Sequence, residues 1–195
     1  MKSIRAIATA ALAACSLLFA AQASAQLYIG ASGGASEIQN SLVLGPLITS
    51  GTVDNKDAGF KVFGGYLFNE YLGVEYSYMD LGTMTYSGDF LGTPVTGGKV
   101  EVKGNNFSLV VMLPLSESFS LMGKVGMFQA RVKATDTTGG APFSFSDRKT
   151  ADSAALGVNY NLGKHISLRA EAERLKIDIN DSVAYFYSAG IAFKF

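Results

Sequence analysis

Residues 182–195 read SVAYFYSAGIAFKF. Val183, Tyr185, Tyr187, Ala189, Ile191, Phe193 and Phe195 all fall in one phase of a two-residue period. Side chains alternate across a strand, so these seven share one face. That face is apolar along its length, with aromatics near both ends and small or aliphatic residues between. Aromatics flanking an apolar band are how a strand that crosses a lipid bilayer meets its two interfaces.

Working backward, the same alternation recurs. In 166–176, Ile166, Leu168, Ala170 and Ala172 oppose Ser167, Arg169, Glu171 and Glu173. In 71–81, Leu72, Val74, Tyr76 and Tyr78 oppose Gly73, Glu75 and Ser77. Further segments of barrel-strand length lie near 27–36, 57–68, 99–113, 119–132 and 150–160, so eight strands are expected in all. Asn69-Glu70, Ser116–Ser118 and Asn161–Lys164 are tight turns, whereas 37–56, 82–98 and 133–149 read as long loops rich in Gly, Thr, Ser and Asp. The connection near 177–181 is short. Short turns at one end and long loops at the other match bacterial outer-membrane barrels, with the turns periplasmic and the loops extracellular.

The N-terminus supplies the route. MKSIR is followed by AIATAALAACSLLFAA and then QASA. A positive start, an apolar stretch and a small-x-small ending form a secretory signal. Ala23 and Ala25 set the cleavage site, leaving 1–25 as signal peptide and Gln26 as the first residue of a 26–195 barrel domain. An uncleaved anchor and a lipoprotein cut at Cys15, after Leu12-Ala13-Ala14, are the rival readings; the apolar run continues past Cys15 through Leu17, Leu18 and Phe19, which favours the later cut. No apolar run of helical spanning length follows residue 25. In lipid only helices and closed barrels satisfy their backbones.

Composition narrows the function classes. Sixteen basic residues balance sixteen acidic ones, so nucleic acid is not an expected partner. Losing Lys2 and Arg5 with the signal makes the remainder mildly acidic. The one cysteine lies in the signal and the one histidine is His165, so neither a disulfide nor a His/Cys metal site is expected, and no cofactor motif is present.

A soluble sandwich or lipocalin-like barrel competes with the membrane barrel, because both alternate. Mid-strand charges favour the membrane form. Lys61, Glu75, Lys124, Arg169 and Glu171 lie opposite the apolar face, where lipid would penalise a Lys or Arg by about 2–4 kcal/mol at the midplane. Inside a narrow barrel they can pair, so they are expected to form a lumenal ion-pair network. The same network could gate a narrow ion path.

GVEYSYMDLG at 73–82, LYIGASGG at 27–34, ISLRAEAERL at 166–175 and SAGIAFKF at 188–195 together resemble small outer-membrane barrels related to the transmembrane domain of outer membrane protein A. The resemblance spans essentially the whole chain after the signal. It implies an all-β, eight-stranded antiparallel up-and-down transmembrane barrel with a filled interior, in the Gram-negative outer membrane. It also implies a last strand read by the barrel-assembly machinery, which assigns Tyr187, Ile191, Phe193 and Phe195 to assembly and, with Tyr185, to the lipid-facing girdle. Members with a peptidoglycan-binding domain continue past the barrel; with Phe195 last, no cell-wall tether is expected. Tryptophan is absent, so the girdles rest on Tyr and Phe.

Outer-membrane lipid is thus the expected partner, with an extracellular ligand bound through the loops as an open alternative. The expected role is structural or surface interaction without catalysis, with a small porin-like pore second and a soluble ligand-binding barrel third. A fourth reading, a lipid A hydrolase, rests on His165-Ile166-Ser167 with Glu171 or Glu173 orienting the histidine; its position at the turn end opposes that. Loop residues 42–48, LVLGPLI, are an apolar run that could mark a binding surface or pack over the barrel mouth.

Overall fold

The computed structural model describes residues 26–39, 48–54, 56–90, 93–138, 141–177 and 182–195. They form strands β1 (Gln26–Gln39), β2 (Ile48–Asp54), β3 (Lys56–Leu67), β4 (Leu72–Phe90), β5 (Thr93–Pro114), β6 (Phe119–Thr138), β7 (Ala141–Asn161), β8 (Ile166–Ile177) and β9 (Ser182–Lys194). Every pairing is antiparallel. The circuit closes, because β1 pairs with both β3 and β9 while β4 pairs with β5. β2 and β3 follow one another along the same neighbour, with Asp54 opposite Thr85 and Phe60 opposite Asp80 on β4. They therefore share one position in the wall, and the nine segments make an eight-stranded barrel.

Three tight connections lie at one end. Asn69 Oδ1 accepts the Tyr71 and Leu72 N–H groups at 2.8 Å each, an Asx turn that leads the chain into β4. Ser116 Oγ does the same for the Phe119 N–H at 3.1 Å. At this turn end the Phe195 N–H donates to the Leu27 carbonyl at 3.0 Å, which continues the β1–β9 seam.

Above the turns the wall is inverted relative to a soluble protein. Outward side chains are large and apolar: Leu27 and Ile29 on β1, Val62 on β3, Leu109 and Val111 on β5, Val125 and Met127 on β6, Leu168 on β8 and Ile191 on β9 are all exposed. A belt this continuous is too large for a water-exposed surface and suits lipid. Aromatic pairs edge it. Tyr66 meets Phe68 and Phe193 meets Phe195 edge to face at 5.7 and 5.2 Å near the turns, and Tyr185 stacks on Tyr187 at 6.4 Å higher up.

Farther from the turns the polarity inverts again. The stretches 82–98 and 133–149, read above as loops, are largely strand, as is 48–54. There the outward residues Thr85, Lys99, Glu101, Arg131 and Lys133 are polar, while the inward Met84, Tyr86, Val100, Val102, Val132 and Ala134 are buried. Beyond the belt the barrel thus continues as a water-facing extension with an apolar core. Its short-range pattern, KVEV at 99–102 and RVKA at 131–134, alternates in the manner of a soluble strand. The signal segment 1–25, with Ala23, Ala25 and Cys15, and the run Leu42–Leu47 lie outside the described residues.

Candidate functional site

The inward face of the barrel is built in layers. Nearest the turns, Tyr28, Phe63 and Ala192 pack together, beside Val110, Met112 and Met122. Above them lies a charged layer, and above that Ser77, Asn106 and Ser153, with Ser153 Oγ bonded to Asn106 Oδ1 at 2.9 Å. The apolar core of the extension follows, centred on Met79, Leu81, Phe128, Leu175 and Phe186.

Strand period places the charges. β3 turns Lys61 inward, β4 Glu75, β6 Lys124, and β8 sends Arg169, Glu171 and Glu173 inward at consecutive inward positions. Lys61 Nζ meets Glu171 Oε2 at 2.6 Å and also pairs with Glu173. Lys124 Nζ meets Glu75 Oε1 at 3.0 Å and Glu173 Oε2 at 3.8 Å, and pairs with Glu171. Arg169 Nη1 bonds Glu75 Oε2 at 2.5 Å and reaches Glu171 Oε1 at 3.3 Å. The Tyr28 hydroxyl donates to Glu75 Oε2 at 3.0 Å. Arg169 also sits over the Phe63 and Tyr28 rings at 4.5 and 5.1 Å, which makes the lower aromatic layer its floor.

Three carboxylates face three cations, so the cluster is electroneutral, and none of the six side chains exposes more than 5% of its surface. Such a layer is tolerable only because every charge has more than one partner. All five charges expected in the lumen lie in this cluster. Glu173 and Tyr28 are further members. Glu173 was legible, being in phase with Arg169 and Glu171. Tyr28 was not: in Leu27-Tyr28-Ile29 both faces read as apolar, so the sequence carries no phase there.

A model of the OmpA-like transmembrane domain matches residues 22–194. The chain belongs to the OmpA-like transmembrane domain family. Among relatives, outer membrane protein A of Shigella flexneri is 29% identical over 146 residues, 74% of this chain and 39% of that protein. The Serratia marcescens protein is 29% identical over 126 residues, 64% of this chain and 34% of its own length. The chain therefore spans little more than a third of these relatives. Solved structures share the fold. Ail of Yersinia pestis aligns with TM-score 0.59 and 20% identity, covering 88% of this chain and 99% of that one. OprG of Pseudomonas aeruginosa aligns with TM-score 0.59 and 15% identity, covering 89% and 96%.

As an OmpA-like barrel the protein resides in the outer membrane, its apolar belt against lipid. The short turns then face the periplasm and the extension faces outward. On this frame His165 and Ser167 separate. The His165 ring lies outside, stacked on Phe193 at 5.7 Å with Nδ1 2.9 Å from the Lys194 carbonyl. Ser167 is fully buried inside, and Glu171 and Glu173 are engaged by the lumenal cations. A nucleophile and base on opposite sides of a barrel wall cannot exchange a proton.

Proposed function

We propose that this barrel is a closed, non-catalytic scaffold of the outer membrane, whose role is structural support of the envelope and display of the extracellular extension. The observation that carries this reading is the lumen: a paired charged layer above an aromatic floor, capped by the apolar core of the extension. An ion entering from outside meets the apolar core of the extension first, where its desolvation is unfavourable; from the turn end it passes the buried Ser120, Asn159 and Ser167 before reaching the Tyr28–Phe63 floor and the paired charges. Assembly through β9 belongs to the same reading, with Tyr187, Ile191, Phe193 and Phe195 presented outward in one phase.

A small pore is the second reading, favoured by one observation. The hydroxyls of Ser32, Ser167 and Ser188 are buried on the β1–β9–β8 side without a protein partner, where water could satisfy them. Planar-bilayer recording of the purified barrel separates the two. The scaffold reading expects no steady channel; reproducible open levels in the wild type would overturn it in favour of the pore.

A further inference from the structure

Outward residues on β4 to β7 form rows across directly opposed positions. The row Tyr76, Phe107, Met127 is the upper limit of the apolar belt on β4, β5 and β6, and Asp152 stands at the same level on β7. One step toward the exterior come Tyr78, Asn105, Gln129 and Thr150. The next row is Asp80, Lys103, Arg131 and Arg148. In it Lys103 stands directly opposite Arg131, and Arg131 directly opposite Arg148.

Three adjacent cations on neighbouring strands repel one another. Lys103 has counter-charges, Asp80 at 3.1 Å and Glu101 at 3.9 Å. Among the described residues, Arg131 and Arg148 have no carboxylate within ion-pair distance. The nearby acid Asp147 faces Lys149 at 3.3 Å, and Asp152, lower on the same wall, stands opposite Lys176. Among the described residues the wall thus holds two directly opposed cations, Arg131 and Arg148, with no counter-charge within ion-pair distance. These residues line a groove of about 440 Å³ on the outer wall, with Asn105, Gln129 and Thr150 along its lower side.

We propose that this groove binds the phosphorylated sugar headgroup of an outer-leaflet glycolipid. Guanidinium groups present paired N–H donors that match phosphate oxygens, so Arg131 and Arg148 would hold the phosphate with Lys103 beside it. The amides of Asn105 and Gln129 and the Thr150 hydroxyl suit sugar hydroxyls. Position selects a membrane lipid over a soluble polyanion. One step below Asn105 and Gln129 on the outer wall stand Phe107 and Met127, with Tyr76 beside them, so an amphiphile with its acyl chains along the belt brings its headgroup to this level. Anchoring of the chains in the bilayer then supplies the local concentration that a soluble ligand lacks.

The full barrel in uncharged detergent tests this through its thermal unfolding midpoint. Diphosphoryl lipid A is expected to raise the midpoint, and dephosphorylated lipid A, inorganic phosphate and heparin are expected not to. R131Q/R148Q should weaken the apparent affinity for diphosphoryl lipid A by about tenfold or more, while R131K/R148K, which keeps the charge and loses the paired donors, falls between that variant and the wild type. An equal rise with dephosphorylated lipid, an equal rise with heparin, or an undiminished response in R131Q/R148Q would each overturn the site. In lipid-free detergent R131Q/R148Q should unfold no earlier than the wild type, because repulsion has been removed. An earlier transition would make the pair structural and overturn the proposal. Should the double variant not fold, R148Q alone carries the same expectations.

Discussion

Glu171 is the residue on which the lumenal cluster turns. It pairs with Lys61, Lys124 and Arg169, so all three cations of the layer share it. Replacing its carboxylate with an amide keeps the shape and removes one negative charge from a neutral buried set. The surplus positive charge is then held where water cannot screen it, and breaking such a pair typically costs about 3–5 kcal/mol. Glu171→Gln is therefore expected to lower stability by about that amount in urea unfolding from lipid vesicles. An unchanged midpoint would mean that the cluster relaxes around the loss. Surface charges offer the contrast. Lys56 and Glu37 lie 3.9 Å apart with the lysine largely exposed, and such a pair contributes about 0–1 kcal/mol.

Elements were legible where one face meets lipid and the other the lumen. β8 and β9 alternate without interruption, and both their faces and their approximate bounds follow from period two. β4 shows where the pattern fails. Its outward phase holds from Leu72 to Asp80; a bulge then shifts the register, with Asp80 opposite Lys103 but Thr83 opposite Glu101. Gly82 adopts φ +82° there, a conformation that disfavours residues with a Cβ. The shift keeps Met84 and Tyr86 inward, where a strict period would have turned them out. In a single sequence a glycine beside broken alternation reads as a loop, so the upper half of the strand was missed. β6 was ended at 132 for another reason: Lys133, Asp136 and the threonines beyond look like loop polarity unless the strand is known to leave the membrane.

β9 closes the barrel against β1, with Tyr28 opposite Lys194 and the Phe195 N–H bonded to Leu27. Phe195 also packs edge to face on Phe193 at the periplasmic girdle. A chain lacking it keeps residues 1–25 but loses the last seam hydrogen bond and the terminal aromatic. Deleting Phe195 should lower the amount of heat-modifiable barrel in outer-membrane fractions while leaving arrival in the periplasm unchanged. Wild-type levels of assembled protein would remove the residue from assembly.

At the scale of the whole molecule, two cores of opposite construction share one set of strands. In the membrane the wall is apolar outside and charged within; beyond it the wall is polar outside and apolar within. The boundary is the layer of Ser77, Asn106 and Ser153, whose short polar side chains separate the ion cluster from Met79 and Phe128. The membrane part is confined by lipid and holds ion pairs in its interior, whereas the interior of the extension is apolar packing. Local stability should therefore differ between them. Phe128 is fully buried in the upper core, and truncating a buried Phe typically costs about 3–5 kcal/mol. In Phe128→Ala, amide exchange should rise in 98–103 and 130–134 while amides around Lys61, Lys124 and Glu171 keep their protection. Uniformly faster exchange along the barrel would show that the two cores unfold as one. Protection unchanged at both levels would show that the extension is held by something other than its apolar interior.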